Sequence, residues 1–452
     1  WPPATPPSRR IRPTDMELSS AVIGYLGLAG MFVLLALRMP VGIVLILVGT
    51  LGIASIAGWN AAISTLSAEP FIIAGSVPLI IIPLFVFMGN LAAVSGMSHD
   101  LYESAHAWFG HKRGGLASAT ITACAGFAAL SGSSVASAVT MGQVALPEMK
   151  RFGYDPRLST GCVAAGGTLG ILIPPSTGFI VYAILTETSI GKLFLAGILP
   201  GILLATLFLL VVAIVTRINP ALGPPGPARS LDERLRASAK AIPMLAIVLV
   251  TIGGIYGGIF TVSEASGIGA LLALLFAVYR RMLNWETLRT ALLNTVHTTA
   301  FVFLIVIGAH VFAPFLAFSE IPQNLGAGIA ALDFGRFGIL AVILISYVIL
   351  GTFMEGFAIL VLTLPVVDPL IRQLEFSPIW FGVVMVIVLE MGLISPPVGV
   401  NVFVVKGIAK DVPMGDIFRG ILPFWLAMIV CLILIVLFPD IAMFLPRTMI
   451  GG

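Results

Sequence analysis

The stretch Gly170-Ile-Leu-Ile-Pro-Pro-Ser-Thr-Gly178 sets two consecutive prolines, glycines and hydroxyl residues in the middle of a long apolar run. Pro174 and Pro175 remove two backbone donors and obstruct the turn before them, so a helix entering this stretch is interrupted. Polar backbone freed at membrane depth is tolerated only where protein or a water-filled cavity surrounds it. The pattern recurs as Gly392-Leu-Ile-Ser-Pro-Pro-Val-Gly399, with the proline pairs offset by 396 − 174 = 222 positions. Interrupted apolar segments at matching places in two halves of a chain point to the binding site of a secondary transporter.

Composition sets the solvent. The 452 residues are 58% hydrophobic and 10% charged, with a mean hydropathy of +1.08, whereas soluble domains carry about 25% charge. Repeated apolar runs of about 20 residues then imply a polytopic helical membrane protein surrounded by lipid. A net charge of +3 gives no reason to expect a nucleic-acid partner. Cys124, Cys162 and Cys431 lie far apart in apolar runs and read as buried thiols. His99, His106 and His111 share one polar segment without the cysteine or carboxylate spacing of a metal site.

Along the chain, residues 1–16 are rich in proline and arginine and read as a disordered N-terminal segment or linker, with Met16 a candidate start. Spans are expected at Ala21–Leu37, Val41–Ala57 and Ile72–Ala93. Ser98–Gly110 interleaves Leu101, Tyr102, Ala105 and Trp108 with polar residues, as a helix lying on the membrane would. Gly114–Pro147 is apolar but centres on Leu130-Ser-Gly-Ser-Ser-Val-Ala-Ser137, which suits the tip of a re-entrant hairpin. The alternative is one span whose serines bond back to their own helix. A broken span at 158–185 and a span at Phe194–Thr216 follow. Residues 217–240 form the one substantial polar insert and the natural boundary between halves. Ala241–Phe260 and Val262–Tyr279 are the next spans. The second half repeats the first: a span at His297–Phe318, a hairpin at 338–370 centred on Leu350-Gly-Thr-Phe-Met-Glu-Gly356, a broken span at 379–405 and a last span at Ile417–Phe438.

Gly197-Ile-Leu-Pro200 returns as Gly420-Ile-Leu-Pro423, and Pro147 returns as Pro365, each close to the offset of the proline pairs. Three markers in one order define an internal repeat. Placing Arg38, His111-Lys-Arg113, Lys150, Arg151, Arg157, the 217–240 insert, Arg280, Arg281, Lys406 and Lys410 on the cytoplasmic side satisfies the positive-inside rule along this span list. Only Arg9, Arg10 and Arg12 run against it. The repeats are then inverted, and their hairpins enter from opposite faces. Trp59, Trp108, Trp285 and Trp380 fall near span ends, as an aromatic belt would.

A hairpin tip facing a broken helix collects half-helix ends, free carbonyls and hydroxyls. Neutral oxygens suit a small hard cation such as sodium, and helix N-termini suit a carboxylate. One cation is expected near Ser131, Gly132, Ser133, Ser134, Gly170, Pro174 and Thr177, and a second near Gly351, Thr352, Ser395, Pro396, Gly399 and Asn401. An anionic substrate between them would touch Ser134, Ser176, Thr177 and Asn401. Each hydroxyl by itself fits ordinary helix packing; the two clusters together do not. Glu355 and Glu390, in or beside the second cluster, are candidates for ion or proton coupling, and Glu264 opens another span. No arginine or lysine is forced into the site.

The run Ser131-Gly-Ser-Ser-Val-Ala-Ser137, Pro147-Glu-Met149, Gly153-Tyr154, Ile173-Pro-Pro-Ser176 and Tyr182-Ala183, with the Gly-Ile-Leu-Pro words and Ser395-Pro-Pro-Val-Gly399, resembles the large membrane subunit of TRAP (tripartite ATP-independent periplasmic) transporters over about residues 17–445. The resemblance implies an all-α, inverted-repeat, elevator-type, sodium-coupled importer of organic acids in the bacterial inner membrane, and not an enzyme. Its partners would be a small four-span membrane subunit and a periplasmic substrate-binding protein. It divides the chain into scaffold helices (17–70 and 241–296), a first repeat (71–216, with hairpin 114–147), a cytoplasmic linker (217–240), a second repeat (297–440) and a tail (441–452). By motif, Ser133, Ser134, Pro174, Pro175 and Ser176 match the first sodium and substrate region, and Thr352, Ser395, Pro396, Pro397 and Gly399 the second. Whether residues 1–15 continue a fused small subunit stays open, as does a stand-alone dicarboxylate or anion carrier of related architecture. An intramembrane enzyme has neither nucleophile elbow nor metal spacing to support it. Ser134→Ala or Thr352→Ala is expected to lower apparent sodium affinity with insertion intact; unchanged sodium dependence of uptake in both would remove the assignment.

Overall fold

The computed structural model describes residues 19–330 and 334–449, so the expected disorder of residues 1–16 lies outside it, as do residues 450–452 of the tail. Helices form wherever the apolar runs stand and stop where proline, glycine or a capping residue stands, and no strand occurs among the described residues. In order they are α1 (Ser20–Ala36), α2 (Val41–Ala57), α3 (Trp59–Ala74), α4 (Ile81–Val94), α5 (Met97–Phe109), α6 (Gly115–Ser131), α7 (Ser134–Arg151), α8 (Pro156–Leu172), α9 (Thr177–Thr186) and α10 (Ile190–Ile218). The second half holds α11 (Leu231–Tyr256), α12 (Val262–Tyr279), α13 (Trp285–Phe318), α14 (Ile321–Ala330), α15 (Arg336–Gly351), α16 (Gly356–Gln373), α17 (Pro378–Leu393), α18 (Val400–Ile408), α19 (Met414–Leu437) and α20 (Asp440–Thr448). Among the described residues seven helical segments are long and apolar enough to cross a membrane, or eight if α8 and α9, bent by 41°, count as one. The chain is an all-α polytopic membrane protein with two hairpins, α6–α7 and α15–α16, and two broken helices, α8–α9 and α17–α18.

Capping explains where the expected bounds were misplaced. Ser230 and Glu233 form a reciprocal capping box, so α11 starts inside the polar insert. Asn284 and Thr287 do the same for α13, which begins at Trp285 and not near His297. Glu264 caps the start of α12 through Thr261, a structural role. The third span starts at Val77, because Gly75 ends a separate helix, α3, that the sequence reading passed over. Helix α5 forms over the stretch expected to lie on the membrane, and its apolar face packs on α6, with Leu101 against Gly126. Trp380 is buried, donating to Ile435 O at 3.1 Å, so it is no part of an aromatic belt.

The halves repeat in their packing. Each hairpin's first arm lies on the first half of its own broken helix (α6 on α8, α15 on α17), and its second arm touches the second half of the other repeat's (α7 on α18, α16 on α9). The same correspondence pairs α2 with α13 and α12 with α4, so the repeat reaches into helices assigned as scaffold. The basic segments gather at one end: Lys150 bonds Asp411 at 2.6 Å, Arg157 bonds Asp416 at 3.0 Å, and Gly114 and Gly226 N–H donate to Gly223 and Gly110 carbonyls, both at 2.8 Å. Both feet of the α6–α7 hairpin stand there. Both feet of the α15–α16 hairpin stand at the far end of α19, where Arg336 lies over Phe376 at 5.4 Å and Phe376 stacks on Trp380. The repeats are therefore inverted.

Close helix crossings depend on glycine. A Cβ on Gly308 of α13 would come 2.7 Å from Gly42 O and 3.1 Å from Leu45 Cβ on α2, whereas Gly267 of α12 faces open space. Gly308→Val is expected to lower stability by about 1–3 kcal/mol, and Gly267→Val to stay within about 0.5 kcal/mol, as read by unfolding in detergent.

Candidate functional site

The first hairpin turns on Gly132, which has a left-handed φ of +59°; a Cβ there would stand 2.8 Å from Pro175 O. Its carbonyl accepts from Thr177 Oγ1 at 2.7 Å and from Thr177 N at 3.2 Å, tying the hairpin tip to the break in the helix opposite. Ser133 caps α7 through Ala136 N, and Ser176 caps α9 through Phe179 N. Ser131 and Ser137 hydroxyls lie 2.6 Å apart, and a Cβ on Gly170 would come 2.7 Å from the Ser133 carbonyl carbon. Pro174, Pro175, Ser176 and Thr177 are all buried, and the Pro174–Pro175 peptide is cis. The structure thus brings Ser131, Gly132, Ser133, Ser134, Gly170, Pro174, Ser176 and Thr177 into one contact region.

The second cluster is built differently. Gly351 and Gly392 meet where α15 crosses α17, a Cβ on Gly351 falling 2.7 Å from Gly392 Cα. Thr352 Oγ1 donates to Ile349 O at 2.7 Å. Ser395 Oγ donates to Met391 O at 2.6 Å and accepts from Trp425 Nε1 at 2.9 Å. Gly399 has φ +62°, while Pro396, Pro397 and Val398 are exposed, unlike their counterparts in the first repeat. Thr352, Ser395 and Pro396 line a cavity of about 480 Å³ with Arg419 and Trp425. Asn401 in the first turn of α18 is fully buried, and neither of its amide atoms has a hydrogen-bond partner among the described residues.

Between the two clusters lies a cavity of about 370 Å³. Four half-helices turn their first residues to it: Ser133 and Ser134 from α7, Gly178 from α9, Glu355 and Gly356 from α16, and Val400 from α18. Each such end carries roughly half a positive charge and unsatisfied N–H groups. Of the residues expected around a substrate, Ser134 lines this cavity; Ser176, Thr177 and Asn401 lie buried outside its lining. Glu355 and Glu390 both line it, and one carboxylate oxygen of each has no partner among the described residues.

The sequence reading missed His297, Thr298 and Phe301 of α13, which close the cavity on one side. The signal was available: an intramembrane histidine is a functional suspect. Starting α13 at His297 put that residue at a span end, whereas it sits about 18 Å along the helix from Trp285 at 1.5 Å per residue.

Thr177→Val leaves the Gly132 carbonyl only its bond from Thr177 N. A loss of about 1 kcal/mol is expected, with faster amide exchange at residues 131–137 and 173–178 than elsewhere in α6–α9; uniform exchange would show that the tie does not hold the tip.

The family model described as "Tripartite ATP-independent periplasmic transporter, DctM component" matches residues 28–441. The C4-dicarboxylate TRAP transporter large permease protein DctM of Pseudomonas aeruginosa is 39% identical over 371 residues, 82% of this chain and 86% of that one. The isethionate TRAP transporter permease protein DctMQ of Oleidesulfovibrio alaskensis is 31% identical over 421 residues, 92% of this chain and 65% of that one. In fold, the chain resembles the Alcanivorax borkumensis YdaH transporter, whose crystal structure has an unusual topology, with a TM-score of 0.59 and 16% identity over 86% of this chain and 88% of that one.

Proposed function

This chain belongs to the DctM family, the large membrane permeases of tripartite ATP-independent periplasmic transporters, and from that premise we propose that it imports organic acids by sodium-coupled, elevator-type movement of its hairpins and broken helices. Members of the family are multi-pass proteins of the inner membrane that work with a small membrane subunit and a periplasmic binding protein, and they are transport permeases, not enzymes.

The observation that carries the proposal is the convergence of four half-helix N-termini on the 370 Å³ cavity. Aligned peptide dipoles and free N–H groups hold a carboxylate without a basic side chain, and the cavity lining contains no lysine or arginine. The small subunit would be a four-span protein.

Sodium coupling rests on the donor chemistry beside that cavity. The hydroxyls of Ser131, Ser133, Thr177, Thr352 and Ser395 and the carbonyl of Gly132 are hard neutral oxygens, and the unpartnered Asn401 amide adds another. Such sets fit a small monovalent cation. The carbonyl and hydroxyl oxygens of Ser131, Gly132, Ser133 and Thr177 would hold one ion, beside Gly170 and Pro174. Those of Gly351, Thr352, Ser395, Pro396, Gly399 and Asn401 would hold the second. When bound, the ions supply positive charge that favours entry of an acid, and the membrane potential supplies work. Two sodium ions moving down about 100 mV contribute roughly 4.6 kcal/mol before their concentration term.

In the elevator reading, α6–α9 and α15–α18 move together against α2, α4, α12 and α13, whose tight mutual pairing makes a frame. His297, Thr298 and Phe301 would stand on the frame's side of the sliding boundary.

Uptake into proteoliposomes carrying the chain with its small subunit tests the proposal. Accumulation of an organic acid is expected only with binding protein present and an inward sodium gradient. Equal uptake on a proton gradient alone would overturn the sodium coupling. Uptake without binding protein would replace the tripartite reading with a stand-alone carrier.

A further inference from the structure

We propose that the cargo is zwitterionic: a compact carboxylate that also carries an alkylated ammonium, seated with its cationic end at Glu355 and Glu390. The inference rests on the organic-acid reading above and narrows it.

Glu390 stands in the last turn of α17, is 2% exposed, and lines the cavity with one carboxylate oxygen that has no partner among the described residues. Glu355, at the N-cap position of α16, lines the same cavity with an unpartnered oxygen of its own. None of the ion pairs among the described residues includes either. A buried carboxylate is costly unless a cation or full hydrogen bonding compensates it. The chain offers Ser134 and His297 nearby but no lysine or arginine in the lining. A positive group on the occupant would supply the charge that the lining lacks.

The cavity makes two opposite demands. Its four helix ends favour a negative group, and its two glutamates favour a positive one. A dicarboxylate satisfies the first and is repelled by the second. A simple cation satisfies the second and leaves the helix ends unused. A zwitterion satisfies both, with no net charge carried into low dielectric. The remaining wall, including Phe301 and Phe357, is mostly apolar, which suits an alkylated ammonium through cation–π and dispersion contacts. A volume of about 370 Å³ is at the small end of ligand pockets. A sodium ion alone would leave most of that space to water against apolar walls.

The test uses the full chain in lipid nanodiscs with sodium present and four probes: proline, cyclopentanecarboxylate, pyrrolidine and succinate. The first three share a ring and differ in which charges they carry. Affinity is read from ligand-induced shifts in the unfolding midpoint. Proline is expected to bind about tenfold tighter than any other probe. Glu390→Gln and Glu355→Gln should each remove about tenfold of that affinity and leave cyclopentanecarboxylate unchanged or improved. The unliganded midpoint checks that each variant folds, and either variant alone suffices. If succinate or cyclopentanecarboxylate matches proline and both glutamine variants keep that order, the zwitterion is wrong while the organic-acid reading stands. If the variants change sodium dependence but not the ranking of probes, the carboxylates serve the ion and the inference falls. If no probe shifts the midpoint, the cavity is not the cargo site, and both readings fall.

Discussion

Backbone opened inside a bilayer must find its hydrogen bonds within the protein, and the carbonyl of Gly132 shows how this chain meets that demand. It takes two bonds from Thr177, one from the side chain and one from the backbone, across the gap between a hairpin tip and a broken helix. Neither element could stand alone at that depth. Each supplies the partners the other lacks, and the approach is close enough that glycine is needed at 132 and 170. The interrupted elements are thereby interlocked, and the ends of the broken helices are delivered to a single cavity.

The second repeat meets the same demand with different partners. Among the described residues no bond like that of Thr177 crosses from hairpin tip to break; Ser395 is held by Trp425 of α19, and Gly351 meets Gly392 through bare backbone contact. Its proline pair is exposed where the first is buried. The inverted repeat is thus symmetric in topology and asymmetric in closure, with a sealed clasp on one side of the cavity and an open one on the other. The cavity between them combines dipolar positive ends with buried acids, a mixture that neither clasp would present by itself.

Much of this was readable residue by residue. Consecutive prolines in an apolar run admit few structures, so both breaks were evident, as were the hydroxyl-rich hairpin at 131–137 and the reversal of the repeats implied by the basic loops. What the sequence reading missed were relations between elements. Helix α3 was passed over because its apolar residues merge with the next span, and only Gly75 and Ser76 separate them. The start of α13 was placed late because polar first turns resemble loops until their capping bonds are seen. With it went His297, which looked peripheral and lies on the cavity wall.

Patterning alone determined that this chain is a helical membrane protein with two inverted halves, each broken by prolines among hydroxyls. Those features follow from local chemistry: apolar length, lost backbone donors and charge beside the spans. Only the tertiary structure decided which oxygens are already spent on each other and which remain free. Ser176 Oγ accepts from Phe179 N and Thr177 Oγ1 donates to Gly132 O, while Asn401, Glu355 and Glu390 keep atoms with no partner among the described residues. A hydrogen bond between residues 45 positions apart, such as Thr177 to Gly132, leaves no trace in either neighbourhood. Availability for a ligand is a property of the packed neighbours, and a one-dimensional pattern does not contain it.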